Sequence, residues 1–525
     1  MRPARRAPLH WPLIALAVVV LLPLLTGLVV LGPQRALPIA VAAASNVLID
    51  GLNAAPPPHR IPVVELEVAP AALDSLEADL PWSGGTVQQA TLIDKGIRYP
   101  ARFRYRGVYA TTHFLGGKRS FRLVLKKDNP FAPYRRLNFI NPKAFNMVND
   151  HLALWIAARM GVPVPYDDLA FVRINGRDIG VMEVVEQVDP DFERNRHLTR
   201  GTVAVFKGDF PPVTGRALPK PAMLWADAKH WAYEGGGDSA AAHQRLAALV
   251  ELVRSRKLTA EAKRDSLPTL IDIDAFLRYY AALKVLNTRH IDDHHNQWLV
   301  MSPRTGLFYP VLWDALMMYP HPGEPLHPVH DALSRLVLRD PEWRLQHDRY
   351  VREAIEGLLA DEAWTRQVEA VADRLEPSVL RDRNKYGQVS PEPADVHRFS
   401  FAHWTHSLAT LHDASKAYWQ RVRTALDDVR ADAVVHGNTV QVTLGGENAV
   451  RVSVQGDSLV GAPEVAGAAA SITRSGTDAV HVTLMPRLLP PDSAHAGLHA
   501  PPRPAVVTIT LPDGIVRSAT IHPAE

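Results

Sequence analysis

Apolar and polar positions sort the chain into stretches of different period. Residues 11–32, WPLIALAVVVLLPLLTGLVVLG, carry no charge, and an apolar run of about 20 residues is what a helix needs to cross a hydrocarbon core. From residue 61 to 141 the pattern becomes that of half-buried strands. IPVVELEV, GTVQQATLID, IRYPARFRYRG, KRSFRLVLKK and YRRLNFIN interleave apolar with polar or basic side chains. AFNMVNDHLALWIAARMG then places apolar residues at helical spacing and stops at Gly161, a C-cap residue. In LAFVRINGRDIGVMEVVE two strands flank Asn175-Gly176, the pair that a tight hairpin turn favours.

From about residue 220 the spacing turns helical, in SAAAHQRLAALVELVRSRK, IDIDAFLRYYAALKVLN, PEWRLQHDRYVREAIEGLLA, TRQVEAVADRLEP and HWTHSLATLHDASKAYWQRVRTALDDV. NQWLVMSPRTGLFYPVLWD interrupts these helices with two short strands around a turn. The last 90 or so residues return to alternation in NTVQVTLGG, NAVRVSVQGD, DAVHVTLMP and AVVTITLPDGIVRSATIHP, the pattern of a small sandwich-like β domain. The expected class is α+β. Residues 1–35 form a membrane anchor or signal, 36–60 a linker, 61–430 a body in which strands precede helices, and 431–525 a C-terminal β domain.

Composition adds limits. Of 525 residues, 47% are hydrophobic and 22% charged, as in globular proteins, and the net charge is only +3. No basic stripe with interleaved aromatics occurs, so nucleic acid is not an expected partner. The 43 prolines gather in loops such as GDFPPVTGRALPKPA, YPHPGEPLHP and MPRLLPPDSAHAGLHAPPRP. The absence of cysteine excludes disulfides and thiolate chemistry. Arg2, Arg5 and Arg6 precede the apolar run, which favours a cytoplasmic N-terminus and a body outside the membrane, periplasmic or at the surface. AVAAAS at 40–45 offers a peptidase small residues, and cleavage there would make the body a secreted protein.

Candidate chemistry centres on HIDDHHN, residues 290–296. Its ligand types suit zinc, in a hydrolase built on His290, His294 and His295, although adjacent residues cannot all face one ion. They also suit phosphoryl transfer. That reaction takes an aspartate to position a hydroxyl, an amide oxygen for Mg²⁺ and a further carboxylate after a short hairpin. Asp292 stands four positions before Asn296, and Asp314 follows the next hairpin in VLWDAL.

Three blocks occur in order: RYRGVYATTHFLGGKRSFRLVL, ARMGVPVPYDDLAFVRINGRDIGVMEVVEQVD and DDHHNQWLVMSPRTGLFYPVLWD. Together they resemble the CotH family, the spore-coat-protein-H-like kinases with an atypical, two-lobed protein-kinase fold. The resemblance covers about residues 60–420. It implies a β-rich N-lobe and a helical C-lobe, ATP and Mg²⁺ as cofactors, and a protein hydroxyl as acceptor. It implies Asp292 as the catalytic aspartate, with Asp293 as its alternate because the local register is ambiguous. Asn296 and Asp314 would ligate Mg²⁺, Lys118 would contact the α/β-phosphates, and Arg106 with Gly107 would shape the phosphate-facing turn. Glu186 would lie where adenine binds, and Trp313 would pack rather than stack on a base.

The chain departs from the family pattern at Leu316, where a second acid is usual. The helix at 144–161 also lacks a glutamate to pair with Lys118. These departures leave open a non-catalytic, pseudokinase-like protein of the envelope or of surface assembly.

Overall fold

The computed structural model of the chain describes residues 57–80, 82, 86–107, 118–209, 222–317, 325–388 and 396–428, together with the strands between 430 and 523. Seven strands open the described part: β1 Val63–Val68, β2 Gln88–Asp94, β3 Ile97–Tyr105, β4 Phe121–Leu125, β5 Arg136–Ile140, β6 Asp167–Ile174 and β7 Arg177–Glu186. They close into a barrel in the order β1-β2-β3-β4-β5-β7-β6. Closure depends on β1 pairing with β6 in parallel, Val63 opposite Phe171 and Leu66 opposite Ile174. The remaining neighbours are antiparallel. Alternation fills the interior with Leu66, Leu92, Phe103, Phe121, Phe139, Val172 and Met182, and the Phe121 and Phe139 rings stack at 4.7 Å. Arg102, Arg104, Arg122 and Arg136 take the opposite phase and face outward.

The Asn175-Gly176 turn joins β6 to β7 with φ of 51° and 74°, the left-handed values a two-residue hairpin needs. The helix expected from residue 144 begins at Asn149. Before it, the Asn146 side chain accepts the Val148 N–H at 3.0 Å and Met147 has φ of 61°, so the chain turns instead of coiling. Leu152 and Ile156 of that helix join the outward Phe171 and Val181 of β6 and β7 in the larger core.

That core continues through a second sheet, ordered β11-β10-β8-β9, with β8 Ala204–Gly208, β9 Trp231–Gly235, β10 Gln297–Met301 and β11 Phe308–Pro310. β10 and β11 are the expected short hairpin; β9 falls where the sequence pattern was read as helical. Around it lie the helices Ser239–Arg254, Ile273–Leu286, Pro341–Glu353, Asp361–Arg381 and Phe401–Asp427. The last is tied down by tryptophan indoles: Trp404 Nε1 donates to Asn146 O and Trp419 Nε1 to Val285 O, both at 2.9 Å.

Beyond residue 430 the described residues are strands, as the alternation implies. One sheet joins Ala479–Pro486, Ala468–Ser475, Thr439–Gly445, Arg430–His436 and Thr520–Pro523; another joins Asp457–Gly461, Val450–Val454, Val507–Thr510 and Val516–Ser518. The apolar segment 11–32 lies outside the described residues. Among those described, no helix is long and apolar enough to cross a membrane.

Candidate functional site

The His290–Asn296 segment is shaped by its own polar side chains. Ile273–Leu286 ends where Asn287 adopts a left-handed φ of 51°, a conformation asparagine tolerates well. Five residues on, Asp292 Oδ1 accepts the N–H groups of His294 at 2.7 Å and His295 at 3.1 Å, and lies 2.8 Å from His295 Nδ1. Partial burial pushes the Asp292 carboxyl up, but the hydrogen bonds from His295 and the turn outweigh it and hold it below the usual range. For His295 burial acts to lower the pKa, and the bond and charge of Asp292 reverse the sign and raise it.

Asp293 turns the other way. Its Oδ1 accepts the Ala332 N–H at 3.0 Å, at the start of a short helix, and its carbonyl accepts the Leu224 N–H at 2.7 Å. The two adjacent carboxylates therefore have different surroundings: Asp292 faces the histidines, whereas Asp293 fastens neighbouring segments.

Asn296 and Asp314 approach across the β10–β11 hairpin, their Nδ2 and Oδ2 atoms 3.5 Å apart. Both have left-handed backbones, φ 62° and 51°. Asparagine and aspartate enter that conformation more readily than other side-chain-bearing residues, and here neighbouring bonds hold them in it. For Asn296 the constraint is its Nδ2, which donates to His290 O at 2.9 Å; its Oδ1 is then the atom left for a ligand. For Asp314 it is the chain before and after it. Val311 N–H donates to Trp298 O, Leu312 N–H donates to Pro163 O, and Met317 is gripped by both amide atoms of Asn149. His290 Nδ1 donates to Asp314 O at 2.8 Å, and its ring meets that of His295 edge-on at 5.3 Å. Asp292, His295, His290, Asn296 and Asp314 thus form one connected group.

The Asn149–Met317 grip also brings the first turn of the Asn149–Arg159 helix, with Asp150, to Asp314. Glu183, on the outward phase of β7, lies close enough to feel the charges of both Asp150 and Asp314. Burial first, then the charges of Asp314 and Asp167, raise the Asp150 carboxyl; burial, Asp167 and Asp150 raise that of Glu183. Asp150 Oδ1 and Glu183 Oε1 are buried without a hydrogen-bond partner. Carboxylates crowded in this way are relieved by a cation, so the donor set fits Mg²⁺, with Asn296 Oδ1 and the Asp314 carboxylate as ligands and Asp150 and Glu183 around them. Arg106 supplies positive charge from the end of β3. Burial lowers its pKa while Asp314, Asp209 and Glu183 act to raise it, its Nη1 has no partner, and its guanidinium lies 5.9 Å over the Trp313 ring. Trp313 itself is buried against Trp298.

Two expected residues are engaged elsewhere. Lys118 Nζ donates to Asp382 Oδ2 at 2.8 Å, with both side chains fully buried. The partner absent from the Asn149–Arg159 helix therefore comes from the segment after Asp361–Arg381. Glu186 Oε2 accepts Tyr166 N–H at 3.0 Å and Arg196 Nη2 at 2.6 Å, while Oε1 accepts Asn195 Nδ2 at 2.8 Å. It fixes the path leading from the barrel to β8. Sequence reasoning missed Asp150, Glu183 and Asp382. For Glu183 a signal existed: 181, 183 and 185 share the outward phase of β7, and an acid in that apolar row is out of place.

Comparison with known proteins gives two findings. Residues 103–429 match the family described as CotH kinase protein. The chain is also similar to the inner spore coat protein H of Bacillus subtilis (strain 168), 22% identical over 343 residues, covering 63% of this chain and 91% of that protein.

Proposed function

The chain belongs to the CotH kinase protein family, and from that premise we propose that it transfers the γ-phosphoryl group of ATP to a protein hydroxyl with the aid of Mg²⁺. In this reading the barrel and the Asn149–Arg159 helix are the N-lobe of an atypical protein kinase. The second sheet and the helices to Asp427 are its C-lobe, with kinase-domain limits of about 61–430. The observation that carries the reading is the Asn296–Asp314 approach, two left-handed residues at 3.5 Å from opposite ends of a hairpin, with Asp292 connected to them through His295 and His290.

Asp292 orients the acceptor hydroxyl and takes its proton as that oxygen bonds to the γ-phosphorus and the bond to the departing ADP breaks. His295 holds the Asp292 carboxylate in place through the 2.8 Å contact. Asn296 and Asp314 would hold Mg²⁺, which would supply charge neutralisation at the phosphate oxygens. Arg106, whose Nη1 is buried without a partner, meets the phosphates. Lys118, paired with Asp382, braces the barrel against the helices and in the same reading keeps further N–H donors for the phosphates. Adenine lies towards the segment after β7 that Glu186 secures. A cavity of about 270 Å³ lined by Asp292, Ile291, Pro325, Pro328 and Val329 admits the acceptor side chain.

The name of the Bacillus relative places that protein in the inner spore coat; an envelope or surface location is the corresponding proposal here, with the 11–32 segment as anchor. The β sheets beyond 430 form an accessory domain in the same reading. Leu316 in place of an acid favours a second one, a non-catalytic assembly protein on the same fold. Incubating the protein with γ-labelled ATP and Mg²⁺ decides between them. Label on protein that disappears in Asp314→Ala supports the kinase, and no nucleotide binding by calorimetry supports the platform.

A further inference from the structure

Helix Pro341–Glu353 buries two residues that its apolar face would not normally accept. His347 and Asp348 are both fully enclosed, alongside Leu345 and Val351. Across from them stands His327, from the segment that re-enters the described structure at Pro325. His327 Nε2 lies 2.6 Å and His347 Nδ1 3.0 Å from the same oxygen, Asp348 Oδ1. One nitrogen of each imidazole and a carboxylate oxygen of Asp348 fall within 4.8 Å of one another.

Ionisable groups are rarely placed in a core without a strong compensating interaction. A plain hydrogen-bonded triad, two imidazole N–H groups donating to one carboxylate, would satisfy Asp348. It would not satisfy the histidines. With Nδ1–H given to Asp348, His347 Nε2 is a lone pair sealed from water with no donor. His330, three residues after His327, repeats the feature: its ring hydrogen-bonds the Ile291 backbone, and its Nε2 is buried without a partner. His327 Nε2 and His347 Nδ1, the two nitrogens that converge on Asp348 Oδ1, are the atoms positioned to hold an ion in place of a proton. In a tetrahedral zinc site, ligand atoms about 2.0–2.1 Å from the ion stand a little over 3 Å from one another, so the trio needs only a small outward adjustment.

We propose that His327, His347 and Asp348 bind a zinc ion. Nitrogen and carboxylate donors without thiolate suit Zn²⁺ better than the oxygen-seeking Mg²⁺. The ion is structural in effect. It clamps the stretch from Leu326 to Asp331 onto the Pro341–Glu353 helix, and Pro325, Pro328, Val329 and His330 of that stretch line the cavity that Asp292 also lines. It is also separate in place from the His290, His294 and His295 group, where the Nδ1 atoms of His290 and His295 meet Asp314 O and Asp292 Oδ1.

The test is metal content of the full-length chain, expressed with zinc and desalted through a weak chelator, which needs neither ATP nor activity. The expected result is one zinc per chain, lost in His327→Ala and His347→Ala and retained in His290→Ala. Stripping the ion should lower Tm by about 5 °C or more. Should the variants not fold, Co²⁺ titration of the stripped wild-type chain serves instead, with visible bands of tetrahedral intensity expected. A chain that takes up neither ion at micromolar concentration overturns the proposal, as does zinc that persists in His327→Ala and leaves with His290→Ala.

Discussion

Lys118 and Asp382, 264 positions apart, meet in an ion pair from which water is wholly excluded, Nζ to Oδ2 2.8 Å. The carboxylate is also held by backbone. Oδ2 accepts the Val181 N–H at 2.9 Å and Oδ1 the Asn384 N–H at 2.7 Å. Breaking a buried pair from one side leaves the other charge unsolvated, at a cost of about 3–5 kcal/mol. Lys118→Met should therefore destabilise by about that much. Asp382→Ala should cost more, because it also strands two N–H groups. Urea denaturation with unchanged m-values measures both, and two variants within about 1 kcal/mol of wild type would contradict the assignment of a bracing role.

Gly180 makes the same contact sensitive from the barrel side. Its φ is 116°, and a Cβ there would overlap the Asp382 carboxylate. Gly180→Ala should cost upwards of about 2 kcal/mol by combining backbone strain with displacement of the pair. A Tm equal to wild type would show that Asp382 can move away freely.

Asp292 and Asp293 should separate cleanly. Asp292→Asn is expected to lower phosphate incorporation by about 10²–10⁴-fold, with little change in Tm above the pH at which His295 loses its proton. Asp293→Asn should lower Tm through the Ala332 contact while leaving the rate within a few-fold. Labelled-ATP assays beside melting curves check this, and the reverse pattern would reassign the catalytic residue.

Arg106→Gln removes the guanidinium that faces Asp314. Loss of a phosphate contact of about 1.4 kcal/mol or more corresponds to at least tenfold weaker Mg·ATP binding, readable by calorimetry. Binding unchanged in this variant would remove Arg106 from the phosphate site.

His295 gives a pH dependence with a definite sign. Its pKa is raised in the folded chain, so the stabilisation from its bond to Asp292 is full below pH 6.5 and is lost as pH rises through the folded value above that. The Tm advantage of wild type over His295→Gln should shrink across that interval. Over the same interval Asp292 loses a cationic partner and becomes a better base, so the rate should climb. A Tm difference that is flat from pH 6 to 9 would refute the pairing.

The sequence pattern carries much of the barrel, because alternation is a local property. Phe103 and Tyr105 fall on one phase of β3 and Arg102 and Arg104 on the other, and Asn175-Gly176 announces its turn. Barrel closure is invisible in the same pattern, since β1 meets β6 about a hundred residues later. At the site, the approach of Asn296 to Asp314 was legible because one short hairpin separates them. The phosphate contact of Lys118 is implied by the family resemblance alone; its acidic partner Asp382 was not legible, because it stands in LRDRNKYG with no periodic neighbour to mark it. Asp150 was hidden for a related reason: it looks like an ordinary first-turn helix acid until the Asn149–Met317 bonds bring Asp314 beside it.

The 264-residue span between Lys118 and Asp382 also sets a clock on biosynthesis. At about 5–20 residues per second, a ribosome needs roughly 10–50 s to deliver the aspartate after the lysine. Throughout that interval the nascent barrel carries a cation that its finished form encloses, and the Val181 amide awaits its acceptor. Translation pauses before residue 382 should therefore prolong exposure to chaperones and proteases, whereas pauses after it should matter far less.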